Sequence, residues 1–259
     1  MYATMLRWYL ERMSLEELSI TGGEPALSPA IGDVLGVLAD FDLKVVMTSN
    51  GTGLFKLIPE LGGIVDHINV SRHSVHDSAN RIVFRTDSVP DTEGLTHICQ
   101  LANNFGIDVT LNRVVEGGWD NGQSLLDYVN LAKKVGASAV TIRKDYRGDS
   151  LEMTPLEANL NLKGKTRSCP VCVTTTYLIE GMPVHFKRSL EETDSQGIHE
   201  YIYHPDGRLT SDWAGERPVD TLVTTSQDQM VRNLVELTTV SDRKIRVADN
   251  GSCSQGRTC

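Results

Sequence analysis

The stretch LSITGGEPALSP, residues 18–29, decides how the rest of the chain is read. A short apolar run, read as a strand, stops at Gly22, Gly23, Glu24 and Pro25, and a helical pattern follows. Two glycines let backbone N–H and C=O groups approach a ligand with no Cβ in the way. Glu24 beside them is an acceptor for an ammonium group, and Pro25 fixes the exit from the turn. The combination suits a zwitterion such as an amino acid better than a phosphate, which favours a lysine or the N–H groups of a helix start.

Outward from this turn the pattern repeats. Helix-like MLRWYLERM precedes the strand, and SPAIGDVLGVLADF follows it, with Ser28 expected as N-cap and Pro29 at the first helical position. Then come the strand KVVMTSN, the helix GLFKLIPEL, the strand HINVS, the helix TEGLTHICQLANNFG, the strand IDVTLNRVV, the helix GQSLLDYVNLAKKVG and the strand SAVTIRK. Short β-branched strands alternating with amphipathic helices indicate βα units and a parallel sheet. Five strands are visible, and a half-barrel and an open doubly wound sheet both fit. The order opens on a helix, so a first strand is expected to be missing.

After about residue 150 the rhythm changes. LEMTPLEANLNLKGKTRSCPVC reads as an irregular linker or lid. TTTYLIEGMPVHFKRSL and GIHEYIYHPDGRLTSDW read as hairpins, the second turning at Pro205, Asp206 and Gly207. SQDQMVRNLVELTTV reads as a last helix before a cysteine-containing tail. The expected division is therefore residues 1–150 for the α/β unit and 151–259 for a C-terminal extension.

In a parallel α/β sheet, ligands gather at the carboxyl ends of the strands. The strand ends here carry Gly22 to Pro25, then Thr48, Ser49, Asn50 and Gly51, then Ser71, Arg72 and His73, then Asn112 and Arg113, then Arg143 and Lys144. All five are polar, and as a set they describe a binding rim.

TGGEP closing one strand and TSNG closing the next resemble the radical S-adenosylmethionine (radical SAM) superfamily. The resemblance runs from about Met1 to Lys144, and INVSRHSVHDSANRIVF resembles a fourth-strand segment of some members. It implies a partial (β/α)6-type barrel with a hairpin-rich C-terminal extension. It also implies that SAM is the cofactor, with Gly22, Gly23, Glu24 and Pro25 at its methionine amino group. Ser71 and Arg72 would lie near its carboxylate or ribose, and Thr48, Asn50, Asn112 and Arg143 would complete the polar wall. The activity so implied is formation of a 5′-deoxyadenosyl radical for substrate modification, with an electron donor as partner.

One departure is large. The superfamily holds its 4Fe–4S cluster on a CxxxCxxC loop ahead of GGEP, whereas here 21 residues precede Gly22 and the first cysteine is Cys99. The reading is a truncated piece of such an enzyme, whose cluster ligands are not in this chain, or a degenerate module that binds a SAM-like ligand or a partner. The helix at the very start favours truncation.

The chain has 259 residues, 40% of them hydrophobic, with net charge −9, which gives no global field for nucleic acid. No apolar run approaches the ~18–20 residues of a membrane span, and the opening residues resemble neither a signal peptide nor an anchor. Five cysteines point to a reducing, cytoplasmic setting. Cys169 and Cys172, in CxxC spacing, with Cys253 and Cys259 on the tail, could complete a zinc site or hold an auxiliary iron–sulfur cluster, or be plain thiols. Cys99 is expected in the core. His73, His76 and Asp77 are expected to serve turn and cap hydrogen bonding, Trp119 to wall a pocket or anchor a loop, and Tyr201, Tyr203 and Trp213 to pack across a hairpin.

Overall fold

A computed structural model describes residues 2–13, 15, 17–115, 122–144, 164–168, 172–189, 200–204, 209–210, 218–220 and 246–247. The chain begins with α1 (Tyr2–Leu10) and β1 (Glu17–Ile20), then a 3₁₀ turn over Pro25–Leu27. It continues through α2 (Ile31–Leu38), β2 (Lys44–Ser49), α3 (Leu54–Leu61), β3 (His67–Ser71), α4 (Asp77–Phe84), α5 (Thr92–Asn104), β4 (Asp108–Val115), α6 (Gly122–Val135) and β5 (Ala139–Lys144). Strands β6 (Lys165–Ser168), β7 (Cys172–Ile179) and β8 (Met182–Ser189) follow. The last are β9 (Glu200–Tyr203), β10 (Leu209–Thr210), β11 (Pro218–Asp220) and β12 (Arg246–Val247).

All five strands expected from the sequence form. Strands β1 to β5 lie side by side in chain order, all parallel, and β8 adds parallel to β5. A sheet wound in chain order returns each crossover on the same side, so its helices gather on one face. Helices α2, α3, α5 and α6 accordingly pack one against the next. This resolves the two sheet readings in favour of the partial barrel, and the sheet is not closed.

Period-two alternation sorts each strand between two environments. Val45, Met47, Ile68, Val70, Val109, Leu111, Val140 and Ile142 join the core shared with the helices, among them Ile58, Leu95, Cys99, Leu125 and the fully buried Tyr128. The residues between them face the opposite side, the barrel interior, and there polar side chains dominate. Cys99 is in the core as expected, and burial pushes its thiol up to about 12.

Local chemistry explains the element ends. Asp91 caps α5 by accepting from Gly94 N at 2.8 Å, and α6 closes on Gly136 at φ 83°. Strands β7 and β8 meet in a two-residue turn at Glu180 (φ 47°) and Gly181 (φ 81°), the type I′ geometry that matches strand twist. That hairpin was expected; its joining the main sheet was not. The sheet therefore continues past residue 150.

Three local expectations are corrected. The N-cap of α2 is Ala30, with Ser28 Oγ accepting from its N–H at 3.3 Å, so Pro29 precedes the helix. Part of the expected linker, Lys165–Ser168, is strand β6, paired antiparallel to β7. Residues 77–84 form α4, outside the run of helices expected from apolar spacing. A second sheet, in the order β11, β10, β9, β12, includes the expected hairpin of β9 and β10. Tyr201 and Leu209 there pack with Tyr9 of α1, and the Tyr203 ring stands 5.6 Å from that of Tyr9. Residues 205–207, Trp119, Trp213 and the expected last helix lie outside the described residues. No described helix is long and apolar enough to cross a membrane.

Candidate functional site

The carboxyl ends of β1 to β5 and β8 point the same way, so their last residues share one rim. Beyond β1, Gly22 (φ 90°) and Gly23 (φ 49°) take the left-handed conformations that leave their backbone exposed. A Cβ built on either would meet nothing within 4 Å, so open space lies against this turn.

Glu24 follows, and its carboxylate is largely committed to the protein. Oε1 accepts from Ser49 Oγ at 2.7 Å and from Ala26 N at 3.2 Å, and Oε2 accepts from Asn50 N at 2.6 Å. Ser49 Oγ in turn accepts from Gly51 N at 2.8 Å, and Asn50 Oδ1 from Thr52 N at 2.8 Å. The carboxylate thus ties the Gly22–Gly23 turn to the end of β2. A carboxylate offers about four lone-pair positions, so one is left for a ligand cation. Pro25 is buried behind the turn.

Register carries the site across the sheet. Thr48 pairs with Asn69, and Asn69 with Thr110. One row nearer the rim, Ser71 pairs with Asn112, Asn112 with Thr141, and Thr141 with His185. At the rim, Val114 pairs with Arg143, and Arg143 with Lys187. Alternation puts all of these on the interior face. Four of the sequence-predicted residues, Thr48, Ser71, Asn112 and Arg143, therefore share this face, strung across the sheet from β2, beside the Gly22–Gly23 turn, to β5.

Among the described residues, the buried atoms on this face without a hydrogen-bond partner include Thr48 Oγ1, Asn69 Nδ2 and Asn112 Oδ1. Asn69 and Asn112 are 3% and 7% exposed. Buried polar groups in folded proteins are nearly always paired, so a cluster of orphans beside a bare backbone turn fits a polar ligand such as SAM.

Arg72 is placed elsewhere. It follows Ser71, so it points to the helix side, where it is 3% exposed. Its guanidinium donates to Ser74 O at 2.9 Å, Pro90 O at 3.1 Å and Asp77 Oδ1 at 2.5 Å. Its own carbonyl accepts from Tyr128 Oη at 2.6 Å. Arg72 therefore organises the segment from β3 to α5. Burial pushes the Asp77 carboxyl up, but hydrogen bonds from Arg72 and Thr92 and the Arg72 charge bring it below its ordinary value.

Of the neighbouring histidines, His73 makes a side-chain hydrogen bond to the backbone, whereas the His76 side chain makes no capping bond to α4. His73 Nδ1 accepts from Val114 N at 3.1 Å and its ring stacks near Phe84, while His76 precedes α4 at its N-cap position. Burial and then the Arg113 charge lower the His73 pKa.

The described residues present no ligand set for an iron–sulfur cluster. Cys99 is enclosed by α5, no cysteine precedes it, and no three His, Cys, Asp or Glu side chains among the described residues could hold a metal. Cys172 opens β7, and Cys169, Cys253 and Cys259 lie outside the described residues. Sequence reasoning missed Asn69, Thr110, Thr141, His185 and Lys187. Their signal was the alternation in INVS, VTLN, VTIR and VHFK, a polar residue at every second position.

No family model matches the chain. It is 27% identical over 113 residues to the S-adenosylmethionine-dependent nucleotide dehydratase of Thermoplasmatales archaeon strain ISO4-H5, covering 43% of this chain and 41% of that protein. It is 28% identical over 126 residues to the probable GTP 3′,8-cyclase of Thermococcus kodakarensis, covering 48% and 40%. Among solved structures, coproporphyrinogen III oxidase HemN from Escherichia coli, a radical SAM enzyme, aligns with TM-score 0.43 and 13% identity, covering 62% of this chain and 40% of that one. The matches span about two fifths of the length of these curated relatives. They give no support to a metal at the C-terminal cysteines. The sequence likeness to these relatives agrees with the GGEP and TSNG turns: the chain is related to the radical SAM enzymes.

Proposed function

We propose that the chain binds S-adenosylmethionine at the ligand end of β1 to β4. The observation that carries this reading is the orphaned trio Thr48 Oγ1, Asn69 Nδ2 and Asn112 Oδ1 beside the open Gly22–Gly23 backbone. The methionine ammonium sits against the backbone carbonyls of that turn, with the remaining lone pair of Glu24 as a second acceptor. Ser71, Thr48 and Asn112 take the carboxylate and ribose hydroxyls, and Asn50 closes the near side. Arg72 and Pro25 act as positioning residues: one holds the loop after β3, the other fixes the exit from the glycine turn. Arg143 closes the far side.

The finer reading, formation of a 5′-deoxyadenosyl radical with a 4Fe–4S cluster, is a proposal about a whole protein whose cluster ligands lie on another segment. The described residues bind and orient; they do not hold a cluster.

Isothermal titration with SAM tests the binding. A saturable single site is expected, and Asn112→Ala and Thr48→Val should each weaken it about fivefold, the worth of one hydrogen bond of ~1 kcal/mol. Absence of binding at millimolar SAM contradicts the reading. Anaerobic iron–sulfide reconstitution followed by assay for 5′-deoxyadenosine tests whether the cluster ligands lie outside this chain: no product is expected, and product would overturn that part of the reading.

A further inference from the structure

Strand β3 carries His67, Asn69 and Ser71 on its interior face, stacked from the floor of the sheet to the rim. The middle residue, Asn69, is 3% exposed, and its Nδ2 has no hydrogen-bond partner. Its register partners are Thr48 on β2 and Thr110 on β4. Thr48 Oγ1 is itself unpaired, so the Asn69 amide is not aimed at it. A flip exchanges the donor and acceptor ends of a carboxamide, and only its neighbours decide which end meets a ligand.

The deciding neighbour lies on the floor side. Burial lowers the pKa of the His67 ring, and the largest influence against it is a hydrogen bond with the Asn69 side chain. A bond that favours the protonated ring is one in which a ring N–H donates to Asn69 Oδ1, because Nδ2 is itself a donor. Oδ1 is thereby turned to the floor and Nδ2 to the ligand side, in agreement with the unpaired state of Nδ2. The charges around the ring come from three strands and a loop. Asp108, its register partner on β4, and the preceding Asp66 favour the charged ring, and Lys44 on β2 opposes it. His185 of β8 faces it across the interior, near enough for the two ring charges to oppose each other. With burial dominant, the ring is neutral at pH 7 and keeps one N–H to donate.

We propose that His67 is a positioning residue: from the floor it holds the Asn69 carboxamide with Nδ2 toward the rim, so that this part of the site meets an acceptor atom of SAM. Its bearing on SAM rests on the reading above, whereas the orientation of Asn69 belongs to the ligand-free chain as well. Without His67, the carboxamide is free to turn and give Nδ2 to Thr48 Oγ1, which closes both groups to the ligand.

Two readouts on the full ¹⁵N-labelled chain test this. Without SAM, the Asn69 side-chain amide resonances should move as the pH falls from about 8 to 5, in step with the His67 ring, because a charged donor strengthens the bond to Oδ1. In His67→Gln, which keeps a donor but does not titrate, they should stay level. In SAM titrations at neutral pH, His67→Leu should bind about fivefold more weakly, the worth of one hydrogen bond, and His67→Gln should stay within about twofold of the wild type. Asn69→Ala should also lose about fivefold, and adding His67→Leu to it should cost nothing more, since a positioning residue acts through the group it positions. Asn69 resonances that ignore the pH, or that still move in His67→Gln, overturn the role of His67. So does a His67→Leu chain that binds SAM like the wild type, or a His67→Leu penalty that persists in Asn69→Ala. Asn69 resonances that follow the His67 ring in a chain that ignores SAM uphold the positioning and overturn the SAM reading instead.

Discussion

Replacing Glu24 with glutamine separates bracing from ligand contact. The carboxylate accepts three hydrogen bonds, from Ser49 Oγ, Ala26 N and Asn50 N. A carboxamide has one oxygen, so whichever way it turns, one backbone N–H loses its acceptor. If the oxygen keeps Ser49 and Ala26, the new NH₂ faces the Asn50 N–H, donor against donor. A hydrogen bond to a charged acceptor is worth about 1.5–3 kcal/mol, and the half-buried setting of Glu24 favours the lower part of that range. The expected cost is about 1.5–2 kcal/mol for Glu24→Gln and roughly twice that for Glu24→Ala, which abandons all three donors. At ~2–4 °C per kcal/mol for a chain of this size, Glu24→Gln should melt about 3–8 °C lower. Thermal unfolding by circular dichroism, beside SAM titration of the same variants, makes the measurement. A Glu24→Gln protein that melts like the wild type but loses SAM affinity about a hundredfold would refute the bracing argument. That result would give the carboxylate to the ammonium.

Three further outcomes follow from the same geometry. Arg72→Met should destabilise by about 3–5 kcal/mol, because it strips Asp77 and buried carbonyls of their donor; at a temperature where the variant stays folded, SAM should still bind, and a selective loss of SAM binding in a fully stable protein would return Arg72 to the ligand. The imidazoles of His67, His73 and His185 are held below their ordinary pKa chiefly by burial, so stability should be full above about pH 6.5 and fall as the pH drops through it. Urea midpoints between pH 8 and 5.5 read this slope; His73→Gln should flatten part of it, and a level wild-type profile would contradict it. Cys99, buried with its thiol pushed up to about 12, should resist maleimide in the native state and react on unfolding, as peptide mapping by mass spectrometry will show.

The parallel sheet was legible in the sequence because its signals are local. Each of β1 to β5 is a short β-branched run between amphipathic helices, and turn residues such as Gly22, Gly53 and Gly136 mark the ends. Helix α4 was harder to see: DSANRIVF leaves Ile82 and Val83 exposed at 77% and 53%, so no apolar stripe announces it. Strand β6, KTRS, has no buried apolar alternation to read either. At the site, the residue types were legible but their directions were not. Ser71 and Arg72 are adjacent, and a strand sends neighbours to opposite faces, so both could not face one ligand. Register did the rest. Lys187 lies 44 positions beyond Arg143 in the chain, and only the insertion of β8 beside β5 makes them neighbours.

The most direct test of SAM binding at this rim is a ¹H–¹⁵N titration of the labelled chain with SAM. The account requires saturable shifts at the backbone amides of Gly22, Gly23, Asn50 and Ser71 and at the side-chain amides of Asn69 and Asn112, with β6 and the turn at Glu180 and Gly181 unmoved. Saturable shifts confined to other residues, or none at millimolar SAM, would contradict it.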